Sequence, residues 1–127
     1  MGSENSKTIN QARAGGEMKN TSVVFISEKL KNEFESLKNG RFEDQQLYRH
    51  LSNAFDKLKQ DPLTGIKLPE KLWPKFYIDK YKINNLRKYD LPRGWRLMYT
   101  IKRDEIIVLN IILEWLPHKE YEKRFRY

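Results

Sequence analysis

The chain has 127 residues, of which 39% are hydrophobic and 13% aromatic, enough for one packed core without metal or disulfide support. It contains no cysteine, which excludes disulfides and thiolate chemistry and favours a reducing, cytoplasmic location. The formal net charge of +8 indicates a polyanionic partner or surface. No run approaches the roughly 20 apolar residues of a membrane helix, so we expect a soluble protein that does not engage a membrane.

The first 17 residues, Met1 to Glu17, are rich in Ser, Asn, Gly and Gln and contain no apolar run. This composition predicts a leader or a disordered tail and not a signal peptide. We therefore expect a single domain over residues 18–127.

Two amphipathic helices are predicted after a first strand. Ser22 to Ser27 is a β-branched and aromatic run typical of a strand, and Ser27 is placed to cap the helix that follows. Gly40 ends this helix, and a second helix runs from about Glu43 to Gln60. The apolar stripes of the two helices suit a hairpin packed on one side of a sheet. These stripes consist of Leu30, Phe34, Leu37, Leu47, Leu51, Ala54, Phe55 and Leu58.

The second half of the chain carries the signals for strands. Pro62 to Ile78 is predicted to be irregular because its prolines interrupt a helix. Three strands follow, with a tight hairpin at Arg103-Asp104 between the last two: Tyr81 to Tyr89, Trp95 to Lys102 and Glu105 to Trp115. The last of these is apolar on both faces, which predicts a central strand covered on both sides. His118 to Tyr127 is expected to form a short helix or tail.

The second of these strands places Arg96 among apolar neighbours. A guanidinium in mid-strand needs an anion, either an internal carboxylate or an external phosphate. The charge around it favours phosphate. Residues 67–103 hold eleven basic and three acidic side chains and thus account for the whole net charge of +8.

The order of elements, together with Gly94-Trp-Arg-Leu-Met-Tyr99 and Leu116-Pro-His-Lys-Glu-Tyr121, resembles the RelE/ParE toxin superfamily of type II toxin–antitoxin systems. The resemblance covers roughly Ser22 to Phe125. It implies an α+β fold in which an N-terminal strand and a two-helix hairpin pack on a small antiparallel sheet of three or four strands. A short C-terminal helix or tail and a basic groove on the opposite face complete the expected fold.

Members of the RelE type cleave messenger RNA on the ribosome without a metal ion or other cofactor. In their reaction the ribose 2′-hydroxyl attacks the adjacent phosphate and leaves a cyclic phosphate. The chemistry needs a base, cations for the developing charge, an acid for the leaving oxygen and an aromatic side chain to hold a nucleobase. The resemblance therefore implies an endoribonuclease toxin that inhibits translation, with a cognate acidic antitoxin as its partner.

Three residues match the catalytic positions of this family. Arg96 is expected to clamp the phosphate, and the alternative is an internal salt bridge, for instance to Glu114. His118 suits proton transfer near neutral pH, and the alternative is an exposed surface histidine. Tyr121 is expected to stack on a nucleobase or donate to a phosphate, and otherwise to pack against the sheet edge.

A set of cations interleaved with aromatic residues is predicted to contact RNA. The alternative is a solvated strand pair whose aromatic side chains face the core. The cations are Lys80, Lys82, Arg87, Lys88 and Arg93, and Lys119 is a further candidate for a phosphate contact.

Two features leave a second function open. Asn84-Asn85 interrupts the basic spacing of the RelE-type strand, and family members with a terminal histidine pair it with a helix glutamate, for which Glu33, Glu35 and Glu43 are the candidates. ParE-type relatives act by inhibiting DNA gyrase, and others have no established activity. The sequence contains no metal-ligand spacing, glycine-rich phosphate loop or nucleophile elbow that would indicate different chemistry.

Overall fold

The computed structural model describes residues 20–125, which form an α+β domain with four α-helices and one five-stranded sheet. The helices are α1 (Glu28–Ser36), α2 (Phe42–Gln60), α3 (Lys75–Tyr81) and α4 (His118–Phe125). The strands are β1 (Asn20–Phe25), β2 (Ile66–Lys67), β3 (Arg87–Asp90), β4 (Arg96–Arg103) and β5 (Ile107–Leu116). The predicted tail at residues 1–17 lies outside the described residues. None of the helices described is long and apolar enough to cross a membrane.

The sheet has the order β1-β5-β4-β3-β2 and is mixed. β1 runs parallel to β5, while the other three pairs are antiparallel. The expectation of a small antiparallel sheet of three or four strands is thus wrong in two respects. The helical hairpin returns the chain so that β1 lies parallel to the last strand, and β2 adds a fifth strand of only two residues, too short to give a hydrophobic pattern.

The predicted α1–α2 hairpin is confirmed on one face of the sheet. Ser27 caps α1, since its hydroxyl accepts a hydrogen bond from the backbone N–H of Leu30 at 3.1 Å. The apolar stripe of α2 is buried, as predicted. It packs with Phe34 of α1 against Leu97 and Tyr99 of β4.

The opposite face of the sheet is covered by α3 and α4, where the family resemblance predicted a basic groove. Met98 of β4 packs there with Tyr77 of α3 and with Tyr121 and Phe125 of α4. The prediction that residues 62–78 are irregular and residues 81–89 form one strand is wrong, because α3 occupies residues 75–81 and β3 begins only at Arg87. Pro74 immediately precedes α3, a position that a helix tolerates, so it does not interrupt the helix. The burial of Tyr77 against the sheet then stabilises α3.

Candidate active site at the end of the sheet

Arg96 begins β4 at the end of the sheet where β3 finishes. Its register partner on β3 is Asp90, and Asp90 Oδ1 lies 3.1 Å from Arg96 Nε. Arg96 Nη1 donates to the carbonyl oxygen of Trp95 at 3.3 Å. Nε is buried and makes no aligned hydrogen bond, so the contact with Asp90 is an attraction between charges. The internal carboxylate beside Arg96 is therefore Asp90 and not Glu114.

His118 begins α4, and its ring meets Arg96 across the turn that follows β5. Arg96 Nη2 lies 3.2 Å from His118 Nδ1, and His118 Nε2 lies 3.0 Å from Glu122 Oε2. A guanidinium has donors only, so Nδ1 must accept in this contact. In the neutral ring, Nε2 then carries the proton and donates it to Glu122. The two neighbours of the ring thus select one tautomer.

Gly94 allows the loop before β4 to approach this histidine. The glycine has a φ of 80°, and a Cβ atom at its position would lie 3.3 Å from the Cβ of His118. A positive φ and a close approach both favour glycine. The preceding Arg93 also has a positive φ, 64°, which is uncommon for a residue with a side chain. The loop at residues 92–94 thus brings the start of β4 against the start of α4.

Two cations lie over the ring of Tyr121. Lys88 Nζ is 5.4 Å and Arg96 Cζ is 5.7 Å from the ring centroid. Lys88 Nζ also lies 3.1 Å from Asp90 Oδ1, so one carboxylate contacts both cations. Tyr121 is only 2% exposed and stacks on Phe125 with ring centroids 4.5 Å apart. This burial agrees with the alternative that Tyr121 packs against the sheet, and it leaves no open ring face for the predicted stacking on a nucleobase.

Arg87 was predicted to contact RNA, but its donors hold a loop of the protein. Its Nη2 donates to the carbonyl oxygens of Leu63 at 3.1 Å and Gly65 at 2.7 Å, and its Nε donates to the Tyr99 hydroxyl at 3.3 Å. The Tyr99 hydroxyl in turn donates to the carbonyl oxygen of Pro62 at 2.7 Å. These contacts fix the segment that leads into β2.

The other predicted RNA contacts are dispersed. Lys80 lies in α3, and Lys82 ends that helix with a φ of 54°. Arg93 lines a cleft of about 290 Å³ on the α2 side of the sheet. Lys119 is exposed in the first turn of α4, next to His118 in the sequence. Of the six cations, the structure brings Lys88 into the site and places Lys119 at its border.

Asp90 and Glu122 are two site residues that were not predicted from the sequence. The glutamate partner of His118 is expected among Glu33, Glu35 and Glu43, all of which lie on α1 and α2. The partner lies instead on the same helix as the histidine, four residues later. This spacing places two side chains on one helix face. The pairing of His118 with Glu122 could therefore have been predicted from the expected C-terminal helix.

A second charged cluster ties α3 and α4 to the sheet. Glu114 of β5 accepts hydrogen bonds from the Tyr77 hydroxyl and from Arg124 Nη1, the latter at 2.6 Å. Burial raises the pKa of Tyr77, and the neighbouring Glu114 raises it further, so the phenol remains a donor. The cluster fixes α4, the helix that carries His118. It contains no residue that the sequence analysis placed in the site.

The chemistry of the site comes from two cations, an imidazole with a paired carboxylate, and Asp90. Within residues 20–125, no group of three or more His, Asp or Glu side chains is arranged to hold a metal ion. Comparisons with protein-family models, curated proteins and solved structures find no match to this chain.

Proposed function

We propose that this protein is the toxin of a type II toxin–antitoxin module and cleaves messenger RNA at the ribosome. The observation that supports the proposal most strongly is the contact between Arg96 and His118. It joins a phosphate-binding group to a proton acceptor 22 residues away in the sequence. The His118 side chain is 51% exposed, so a substrate can approach the pair from solvent. A cation for the phosphate next to a base for the hydroxyl is what the RelE-type reaction needs.

In the proposed reaction, an RNA phosphate draws the Arg96 guanidinium away from His118 and leaves Nδ1 free to accept a proton. The ribose 2′-hydroxyl gives its proton to Nδ1 as its oxygen attacks the adjacent phosphorus. The bond between phosphorus and the 5′-oxygen breaks, that oxygen takes a proton from water, and a 2′,3′-cyclic phosphate remains. The imidazolium then gives its proton to the hydroxide that is left. Glu122 stabilises the imidazolium that forms, as a carboxylate does for other catalytic histidines.

Asp90 holds the two cations in place while no phosphate is bound. It lies 3.1 Å from both Lys88 Nζ and Arg96 Nε, and its side chain is 46% exposed. A phosphate that enters from the solvent competes with this carboxylate for the same donors. The contact of Arg96 with the charge that develops on the phosphate is expected to stabilise the transition state by roughly 2.7–4 kcal/mol.

The proposed partners follow from the charge distribution. Residues 67–103 carry the whole net charge of +8, which suits an acidic antitoxin that covers these cations. Electrostatic steering makes such an association fast and dependent on salt concentration. We place the protein in the cytoplasm, with messenger RNA and the ribosome as its targets. Co-purification from the native operon tests the antitoxin directly.

The second candidate is a ParE-like toxin that binds and inhibits DNA gyrase, or an inactive binding module of RelE-like fold. The ion pair between Arg96 and Asp90 favours this candidate, because an arginine with a purely structural role also has an internal carboxylate. The burial of Tyr121 points the same way, since it removes one residue from the predicted catalytic set.

One induction experiment separates the candidates. The wild-type protein, Arg96→Ala and Arg103→Ala are expressed in a bacterial host, and growth, messenger RNA 5′ ends and DNA supercoiling by gyrase are measured. Arg103 is the matched control, an exposed arginine at the far end of β4. The proposal predicts new 5′ ends and arrested growth for the wild type and Arg103→Ala only, with supercoiling unchanged. Loss of supercoiling without new 5′ ends would establish the gyrase candidate.

A further inference from the structure

A groove of about 590 Å³ between α3 and α4 combines cations with an aromatic ring. Its walls are Pro74, Lys75 and Phe76 on the α3 side and Lys123 and Arg124 on the α4 side. The charged side chains that line it are all basic. Phe76 is 43% exposed, although it is one of the largest apolar side chains of the domain.

Two cations lie close to the ring of Phe76. Lys80 Nζ is 5.4 Å and Arg124 Cζ is 5.3 Å from the ring centroid. Arg124 Nη1 donates to Glu114 Oε2 at 2.6 Å, which fixes the position of this guanidinium. Lys80 is exposed, so its side chain can make room for a base. A half-exposed aromatic ring flanked by cations is typical of sites that bind single-stranded nucleic acid, where bases stack and phosphates pair with lysine or arginine.

Lys75 is available to a phosphate despite its ion pair. Its Nζ lies 2.8 Å from Asp79 Oδ2, and the two side chains are 85% and 61% exposed. An ion pair this exposed contributes little to stability. A phosphate can therefore replace Asp79 at little cost.

The groove and the candidate active site are both bordered by α4. His118 begins this helix, and Lys123 follows five residues later, about 8 Å along the axis at 1.5 Å per residue. Lys119 and Lys123 are one turn apart and both exposed, so they form a row on the outer side of α4. Two exposed lysines of α4 thus lie on the segment that runs from His118 to the groove.

We infer that this groove is a second subsite for single-stranded RNA, in which a base stacks on Phe76 while Lys75 and Lys123 contact the backbone. The inference rests on the proposed function for its substrate class and extends the RNA path beyond the residues at the end of the sheet. An acidic peptide would match the charge of the groove, but its carboxylates would not stack on an aromatic ring. The exposed ring of Phe76 therefore favours RNA, whose bases can stack on it.

The test measures binding separately from cleavage. A labelled 2′-O-methyl oligoribonucleotide of roughly twelve nucleotides, within the range of known single-strand site sizes, cannot be cleaved and reports binding by fluorescence anisotropy. A 2′-O-methyl dinucleotide, which reaches only the Arg96–His118 site, is measured beside it. Phe76→Ala is compared with Ile78→Ala, an apolar truncation on the same helix at a residue of similar exposure, 38% against 43%. Lys75→Glu/Lys123→Glu is compared with Lys31→Glu/Lys57→Glu, the same charge change on α1 and α2.

We expect Phe76→Ala to weaken binding of the long oligonucleotide roughly five- to a hundredfold, the range for loss of one stacked base. The groove double variant is expected to weaken it as well. The slope of its log affinity against log salt concentration should become shallower by about 0.7 for each phosphate that the variant no longer neutralises. Neither change should alter dinucleotide binding, and both controls should match the wild type.

Three outcomes would overturn the inference. The wild type could fail to bind the long oligonucleotide, or Phe76→Ala could bind it as well as Ile78→Ala does. A glutamate-rich peptide could bind the groove as tightly as RNA, without any effect of Phe76→Ala, which would assign the groove to an acidic protein. The wild type could bind the oligonucleotide through Phe76 but produce no new messenger RNA ends in cells. That result would support the RNA subsite in the groove and contradict the proposed cleavage.

Discussion

Arg96 Nη2 and His118 Nδ1 lie 3.2 Å apart, although the β4–β5 hairpin separates the two residues in the chain. Both belong to the end of the sheet at which β4 starts and β5 finishes. The contact requires an unprotonated Nδ1, because the guanidinium can only donate. The nitrogen proposed to accept the substrate proton is thus the one that Arg96 covers in the free protein.

The first prediction concerns which ring nitrogen of neutral His118 carries the proton. In the neutral ring, nitrogen NMR should show a protonated Nε2 and a bare Nδ1, while His50 on α2 serves as the reference histidine. Glu122→Gln removes the charge that orients Nε2–H and should slow cleavage about tenfold, since the two side chains are half exposed and the hydrogen bond is at the weak end of the charged range. A neutral ring with the proton on Nδ1 would contradict the account.

Substitution of Arg96 should separate activity from stability. Arg96→Ala removes an ion pair whose arginine is largely buried, but Lys88 remains beside the half-exposed Asp90, so the free energy of unfolding should fall by about 1–3 kcal/mol and the fold should persist. Cleavage should fall roughly a hundred- to a thousandfold. Arg96→Lys should restore little of this, because an ammonium cannot make the two-pronged contact of a guanidinium. A variant that unfolds, yet binds RNA normally while folded, would mean that Arg96 is only structural.

Asp90→Asn should improve binding of phosphate to the site. The carboxylate competes for Lys88 and Arg96, and its loss should lower the Kd of a dinucleotide roughly two- to fivefold, as expected for an exposed charge. Asp56→Asn, the same change at an exposed residue of α2, is the control. Weaker dinucleotide binding in Asp90→Asn would show that Asp90 positions the cations and does not compete with the substrate.

Stability at alkaline pH should depend on two buried tyrosines. Burial raises the pKa of both Tyr77 and Tyr99 in the folded protein. Their contribution to stability is therefore complete below the ordinary tyrosine pKa of about 10 and is lost as pH rises through the folded-state values. The free energy of unfolding should fall above about pH 10, and tyrosinate absorbance should appear together with unfolding. Ionisation of all seven tyrosines in a protein that stays folded would contradict this prediction.

The sequence predicted those parts of the fold that arise from regular spacing. The stripe of α2, the cap at Ser27 and the pairing of β4 with β5 follow local rules, and the structure confirms them. The helix α3 is not predicted, because the prolines of residues 62–78 indicate an interrupted helix. Pro74 in fact immediately precedes α3, and the helix packs through Tyr77 against the sheet. The parallel pairing of β1 depends on how the hairpin returns the chain, which no local pattern records.

The candidate site was predicted in part. The family resemblance drew attention to Arg96 and His118, and the structure places them in contact. The pairing of Arg96 with Asp90 depends on the register of β3 with β4, which the strand predicted at residues 81–89 does not fix. The burial of Tyr121 follows from the way α4 packs over Met98, a tertiary contact that sequence spacing does not determine.

The chemistry of the RNA ends produced in cells tests the central claim most directly. Messenger RNA fragments are sequenced after induction of the wild type, Arg96→Lys, His118→Gln and the control Arg103→Ala, with a ligation step that captures only 2′,3′-cyclic phosphate ends. The account predicts new cyclic phosphate ends within coding regions for the wild type and the control, and few for the two site variants. Growth arrest by the wild type without such ends, or equal cyclic ends from all four proteins, would contradict it.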